Sequence, residues 1–289
     1  MDYSIYSYTT DALKNLPPRK DDSSKGDYGR LLCICGSEGM CGAAYLAAKA
    51  AYRMGAGLVR IFTPRENLIP LQTLLPEAIV SVYDSPSPDR GALLDALEWA
   101  DAIVIGCGLG RSAASRQILS AALRYSDKPT VIDADGLNLI SANPALKKYL
   151  SGKIITPHIL EMSRLCGLSV EEINADRERT AYEFSRKYGG VCVLKSHKTC
   201  VSDGSERTYV NNSGNNGMAT AGSGDVLAGI IGGILAQNKS GSLSLSDAAA
   251  LGVYIHGLAG DIAAEKLGKY SLMASDIIDA LASILRLAL

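Results

Sequence analysis

The sequence carries almost no net charge: 29 Lys and Arg stand against 30 Asp and Glu, leaving −1. A protein whose main partner is nucleic acid or an anionic membrane needs a clustered basic surface, so both partners are excluded as the principal one. No apolar run approaches the roughly 20 residues that a membrane-spanning helix requires. The opening MDYSIYSYTTDALKNLPPRK has early acidic residues and lacks the apolar stretch of a secretory signal. The seven cysteines are an odd number with no CxxC pair, which excludes a disulfide framework and a ribbon-type zinc site. Histidine occurs only three times, so each one is conspicuous. With 47% hydrophobic residues there is ample material for a buried core. The expectation is a soluble, cytoplasmic, globular protein with reduced thiols.

Residues 1–28 are polar, with Pro17-Pro18 and a mixed-charge run, and read as an extended lead-in that folds in part against the body; residues 29–289 read as a single domain. Short apolar runs suit strands buried on both faces: 31–35, 58–62, 78–82, 102–105, 130–132, 153–155 and 191–194. Helical spacing falls between them at 42–54, 65–74, 91–98, 113–125 and a long 170–188. This alternation implies an α/β fold with a mostly parallel sheet covered by helices. The pattern then changes. Strands at 199–202 and 207–210 flank Asp203-Gly204, a hairpin signal, and helices follow at 225–236, 246–265 and 274–287.

In an open parallel sheet, ligands bind beyond the carboxyl ends of the strands. The sharpest candidate there is Asn211 to Asp225, NNSGNNGMATAGSGD, leading straight into VLAGIIGGILA. Its glycines let a ligand approach the backbone, and the free N–H groups of Ser223, Gly224 and Asp225 would make an anion hole at the positive end of a helix. A carboxylate beside such a hole can take a proton from a hydroxyl during phosphoryl transfer. The plainer reading makes Asp225 an N-cap. No GxxxxGK[ST] string is present, so a P-loop is excluded.

Other strand ends carry further candidates. Gly106-Cys107-Gly108-Leu109-Gly110-Arg111 lacks the third glycine of a dinucleotide fingerprint. Thr156-Pro157-His158 places a histidine at a strand end, whereas His256 falls mid-helix and reads as a core residue. In Lys195-Ser196-His197-Lys198-Thr199 the Lys and Thr side chains suit nucleotide phosphates. Asp133 and Asp135 either hold a magnesium ion through phosphates and waters or cap the following helix.

Together these segments resemble the ADP-dependent (S)-NAD(P)H-hydrate dehydratase family of the ribokinase-like superfamily. The strings that carry the resemblance are KGDYGR from Lys25, GAAYLAAKAAYRMGAGLV, IGCGLGR, VIDADGLN, TPH followed by Glu161, and GMATAGSGDVLAG. The last is the most specific. The resemblance implies a three-layer α/β/α sandwich that dehydrates the S epimer of NADH or NADPH hydrate, with ADP as phosphoryl donor and Mg2+ held through its phosphates. It implies Asp225 as the base that activates the ring hydroxyl, with Gly222, Ser223 and Gly224 as the anion hole. Ala43, Gly108 and His158, with Asp225, would touch the hydrate, and Lys195 to Thr199 with Gly224 would hold the nucleotide. It also implies a homo-oligomer, commonly a tetramer, and a separate epimerase in the pathway, since the epimerase domain of some relatives has no counterpart in these strings.

Five positions depart from the family pattern. Leu160 and Ser196 stand where glycine is usual, and Cys107, Asn212 and Asn216 where proline is common. None removes a proposed catalytic group. The alternative on the same fold is a small-molecule kinase of hydroxymethylpyrimidine or thiazole type, with the same aspartate and a stable phosphorylated product.

Overall fold

The computed structural model describes residues 3–85 and 87–288. Met1, Asp2, Pro86 and Leu289, which include the outer bounds of the expected lead-in and domain, lie outside the described residues. In chain order the strands and helices are β1 (Ser4–Tyr6), β2 (Arg30–Ile34), α1 (Cys41–Arg53), β3 (Leu58–Pro64), α2 (Leu68–Leu74), β4 (Ile79–Tyr83) and α3 (Arg90–Trp99). There follow β5 (Ala102–Ile105), α4 (Ala113–Tyr125), β6 (Thr130–Ile132), α5 (Asp135–Ala142), β7 (Lys153–Ile155), α6 (Ile159–Cys166), α7 (Val170–Ala175), α8 (Arg177–Tyr188) and β8 (Val191–Leu194). The chain closes with β9 (Cys200–Ser202), β10 (Arg207–Val210), α9 (Ser223–Gln237), α10 (Leu245–Leu267) and α11 (Ala274–Leu285).

All ten strands join one sheet in the order β1-β10-β9-β8-β7-β6-β5-β2-β3-β4. Pairing is parallel except within the β9–β10 hairpin and where β9 meets β8. Strand alternation divides the core into two. In β2, Leu31 and Cys33 face a cluster built with α1, α9, α10 and α11, while Leu32 and Ile34 face one built with α3, α4, α5 and α8. Neighbouring β5 splits the same way, Ala102 and Val104 to one side, Ile103 and Ile105 to the other. This two-sided burial is why the strands read as unbroken apolar runs.

Helix α9 is apolar all round because it lies between α1 and the sheet. A β-carbon on Gly229 would sit 2.1 Å from the Ala47 carbonyl oxygen, and one on Gly232 would sit 2.4 Å from Val104. Glycine inside a helix costs about 0.5–1 kcal/mol against alanine, a cost offset here by the close approach it permits.

One element is divided where the sequence reads as continuous. The long helix expected at 170–188 is two helices, α7 and α8, with Asp176 between them at φ −154°, ψ 82°. The Asp176 carboxylate accepts the Arg179 N–H at 2.9 Å, so a side chain that competes with helical backbone starts a new helix. Near the N-terminus, Ser4–Tyr6 is strand β1, paired in parallel with β10, and Tyr6 and Tyr8 pack their rings on Tyr209. Among the described residues no helix is long and apolar enough to cross a membrane.

Candidate active site

The central parallel strands end flush. Ile34 pairs with Ile105, Ile105 with Ile132, and Ile132 with Ile155. The residues just beyond them, together with those after β8 and at the start of α9, therefore share one edge of the sheet. Asp133, the first residue past β6, is 1% exposed. Lys195, the first past β8, donates from Nζ to Asp133 Oδ1 at 2.6 Å. Its backbone N–H donates to the Pro157 carbonyl at 2.8 Å and forms a parallel bridge with His158. Burial works against the Lys195 ammonium, but the Asp133 and Glu161 carboxylates outweigh it and raise its pKa. The ammonium is thus a fixed positive charge at the site.

The first turn of α9 closes over this pair. A β-carbon on Gly224 would stand 3.4 Å from Lys195 Nζ and 3.7 Å from Asp133 Oδ2. The helix begins two residues earlier than its apolar run suggests. Its N-cap is Gly222 at φ 88°, so Asp225 is the third helical residue and not the cap. Burial first, then the Asp133 carboxylate, push Asp225 up to about 6. Ser223 Oγ lies 3.3 Å from His256 Nε2 on α10. Burial depresses that imidazole to about 4, so it stays neutral as a support beneath the turn. His256 is thus the satisfied core histidine its helical position suggested.

Cys107 completes this group. Its thiol donates toward Asp133 Oδ2 at 3.9 Å, and its sulfur, Asp133 and Asp225 bring one ligand atom each within 4.8 Å of one another. A hydrogen bond with Cys35, together with burial, holds the Cys107 thiol well above the usual range, so it is a proton donor between two carboxylates.

The glycine turn is shaped by the same aspartates. Gly106 has φ 120°, and a β-carbon there would fall 1.9 Å from the Asp133 carbonyl oxygen. Ala134, between the two aspartates, has φ 46°, a conformation that L residues rarely hold outside functional sites. Neither Asp133 nor Asp135 caps α5, whose N-cap Ala134 has no side-chain hydrogen bond. Asp135 instead accepts from the Gly110 N–H at 2.9 Å and from Arg111 Nε at 3.2 Å, pinning the turn. At its middle, a β-carbon on Gly108 would lie 2.8 Å from that of Ala43, so these two candidates meet across the turn.

His158 is the N-cap of α6. Its Nδ1 accepts the Glu161 N–H at 3.3 Å, and Glu161 Oε2 accepts the His158 N–H at 2.9 Å. Burial and then the Lys195 charge lower the imidazole pKa, while burial raises that of Glu161. The histidine is therefore a neutral ring, anchored along one edge and half open to solvent.

The segment Lys195 to Thr199 divides. Lys195 enters the site, but Ser196 to Thr199 fold into a turn of their own. Thr199 Oγ1 accepts the Ser196 N–H and donates to its carbonyl, and Ser196 Oγ donates to the Lys198 carbonyl. His197 turns outward, its Nδ1 3.4 Å from the Arg177 guanidinium. The glycine-rich loop is fastened to α10 through Asp261, which accepts from the Gly214 N–H and from Asn215. Of the departures, Asn212 donates to the Tyr8 carbonyl, Asn216 begins a short 3-10 helix, and Leu160 is exposed on α6.

Sequence reasoning left Glu161 without a role and Asp133 undecided. The signal for Asp133 was its place directly after a strand, but its partner Lys195 lies 62 residues on and no local spacing reveals it. A buried carboxylate of raised pKa, a fixed cation and the first turn of a helix thus stand together at the carboxyl edge of a parallel sheet on a ribokinase-like α/β/α fold, an arrangement suited to phosphoryl transfer.

Comparison with known proteins narrows that class. Residues 31–283 match the family model described as NAD(P)H-hydrate dehydratase, and the chain belongs to that family. It is 42% identical over 281 residues to a bifunctional NAD(P)H-hydrate repair enzyme of Escherichia coli, covering 97% of this chain and 52% of that protein. It is 39% identical over 267 residues to an ADP-dependent (S)-NAD(P)H-hydrate dehydratase of Neisseria meningitidis, covering 91% and 86%. The chain spans about half the length of the bifunctional relatives it matches. Among solved structures, a ribokinase-like superfamily protein of Enterococcus faecalis superposes with TM-score 0.85 at 33% identity, covering 98% of this chain and 95% of that one. An ADP/ATP-dependent NAD(P)H-hydrate dehydratase of Bacillus subtilis, co-crystallised with ATP and Mg2+, superposes with TM-score 0.80 at 27% identity, covering 96% of each.

Proposed function

We propose that the chain dehydrates the S epimer of NAD(P)H hydrate back to NAD(P)H, using ADP to phosphorylate the ring hydroxyl. The observation that carries this reading is Asp225, raised to about 6 and set beside the Asp133–Lys195 pair at the start of α9. A carboxylate with that pKa is ionised at neutral pH yet basic enough to take a hydroxyl proton. The hydroxyl oxygen then attacks the terminal phosphorus of ADP, and AMP leaves. The resulting phosphate ester departs as inorganic phosphate, driven by the lone pair of the ring nitrogen, and loss of a proton from the adjacent carbon restores the ring double bond. Phosphorylation converts hydroxide, a poor leaving group, into a good one, which is why a dehydratase is built on a kinase fold.

In this reading the N–H groups of Gly222 and Gly224 receive the transferring phosphoryl group, with Lys195 as the fixed cation beside it; the expected third donor, the Ser223 N–H, turns instead to the Thr220 carbonyl at 3.4 Å. Gly108, Ala43 and the neutral His158 line the hydrate, and the turn from Ser196 to Thr199 borders the nucleotide. Magnesium would be held through the phosphates of the nucleotide and would supply neutralisation of their charge, leaving Asp225 free as the base. The activities for which the relatives are named support the same assignment. A cytoplasmic homotetramer working with an epimerase completes the proposal.

The test is recovery of reduced-nicotinamide absorbance when the protein is mixed with the S hydrate, magnesium and ADP, with phosphate release measured alongside. Recovery with ATP alone would overturn the donor. No recovery with either nucleotide would overturn the dehydratase reading.

A further inference from the structure

A second cavity, of about 440 Å³, runs along the outer face of α4, away from the site above. Arg116, Ser120 and Arg124 recur every fourth residue, so they form one stripe of that helix, and all three line the cavity. Arg90, from the first turn of α3, closes the other side, its guanidinium 4.8 Å from the Tyr125 ring centroid. Tyr125 is itself 54% exposed. Among the described residues none of these three guanidiniums forms an ion pair. Arg116 donates only to the Arg111 carbonyl. The Asp89 carboxylate also lines the cavity; one of its oxygens caps α3, accepting the Gly91 N–H at 2.8 Å.

Three unpaired guanidiniums around one concavity are unusual on a chain whose net charge is −1. Guanidinium is the group best suited to bidentate recognition of phosphate, and an exposed aromatic face stacks bases. The volume falls within the roughly 300–1,000 Å³ of small-molecule pockets. The C-terminal ends of α4 and α5 lead into β6 and β7, so Arg124 and Asn143 lie at the edge of the sheet opposite Asp133 and Asp225. A ligand here is separate from the reacting groups.

We propose that this groove is a second nucleotide site, holding the phosphates of its ligand on Arg90, Arg116 and Arg124 and the base against Tyr125. The assignment is independent of the reaction at Asp225. Calorimetric titration of the full chain with ADP tests it. An Arg90→Ala/Arg124→Ala variant, which leaves the Arg116 contact to the glycine turn intact, is expected to weaken one binding event by about tenfold or more, while turnover and the melting temperature stay as in the wild type. Tyr125→Leu, which keeps the charges, is expected to weaken ADP but leave pyrophosphate binding at the groove unchanged. The proposal is overturned if no ADP binding event responds to the arginine substitutions. It is equally overturned if the groove holds pyrophosphate as tightly as ADP, which would make it a simple anion site.

Discussion

Lys195 Nζ reaches across the end of β7 to stand 2.6 Å from Asp133 Oδ1, so two strands that are not neighbours in the sheet are tied at their carboxyl ends. Lys195→Met leaves a carboxylate 1% exposed without its cation. Breaking a buried pair costs about 3–5 kcal/mol, and the partial exposure of Lys195 puts the expected loss at the lower end. Combining it with Asp133→Asn is expected to recover part of that loss, because the uncompensated charge is gone. Denaturant unfolding of the single and double variants measures both terms, and strict additivity would sink the pairing argument.

Asp225→Asn keeps the shape of the α9 turn but removes the base. The expected result is a kcat lowered about 10²- to 10⁴-fold, with nucleotide affinity retained. Turnover close to wild type would show that the proton goes elsewhere.

With Asp225 raised to about 6 from the ordinary 3.8, kcat/KM is expected to fall as pH drops through about 6, where the base is protonated. Stability moves in the opposite sense. The folded protein holds this proton more tightly than the unfolded chain, so the contribution is full below pH 3.8 and lost as pH rises through about 6. His256 opposes it: depressed to about 4 from 6.5, it contributes stability above 6.5 that is lost as pH falls through about 4. Asp225→Asn should therefore melt higher than wild type at neutral pH. That advantage should vanish near pH 4, which thermal scans across the range would reveal.

Gly108→Ala introduces a side chain at φ 61° and 2.8 Å from the Ala43 methyl. The strain is expected to cost about 1 kcal/mol or more in stability. Because the same turn lines the proposed hydrate pocket, KM for the hydrate should rise more than kcat falls. Steady-state kinetics at saturating ADP separate the two, and an unchanged KM would remove Gly108 from the pocket.

What was legible in the sequence follows from range. Strands 102–105, 130–132, 153–155 and 191–194 read true to their ends because burial on both faces leaves an apolar run with sharp boundaries. The α7–α8 break was hidden because Asp176 looks like any polar helical residue until its carboxylate is seen capping Arg179. The start of α9 was displaced because Ser223 and Gly224 are not apolar, although they are helical. Asp225 could be nominated from one local string. The Asp133–Lys195 pair and the Cys107 thiol between the carboxylates depend on strand order, which no short window of sequence contains.

The pairing of Ser4–Tyr6 with Arg207–Tyr209 has a temporal side. A ribosome delivers the tyrosine-rich first strand long before its partner exists, and loop closure over some 200 residues must be completed before the contact can form. That outer border of the sheet thus cannot be sealed before residues 207–210 have been made. Until then Tyr6 and Tyr8 are without the Tyr209 ring that covers them in the folded sheet.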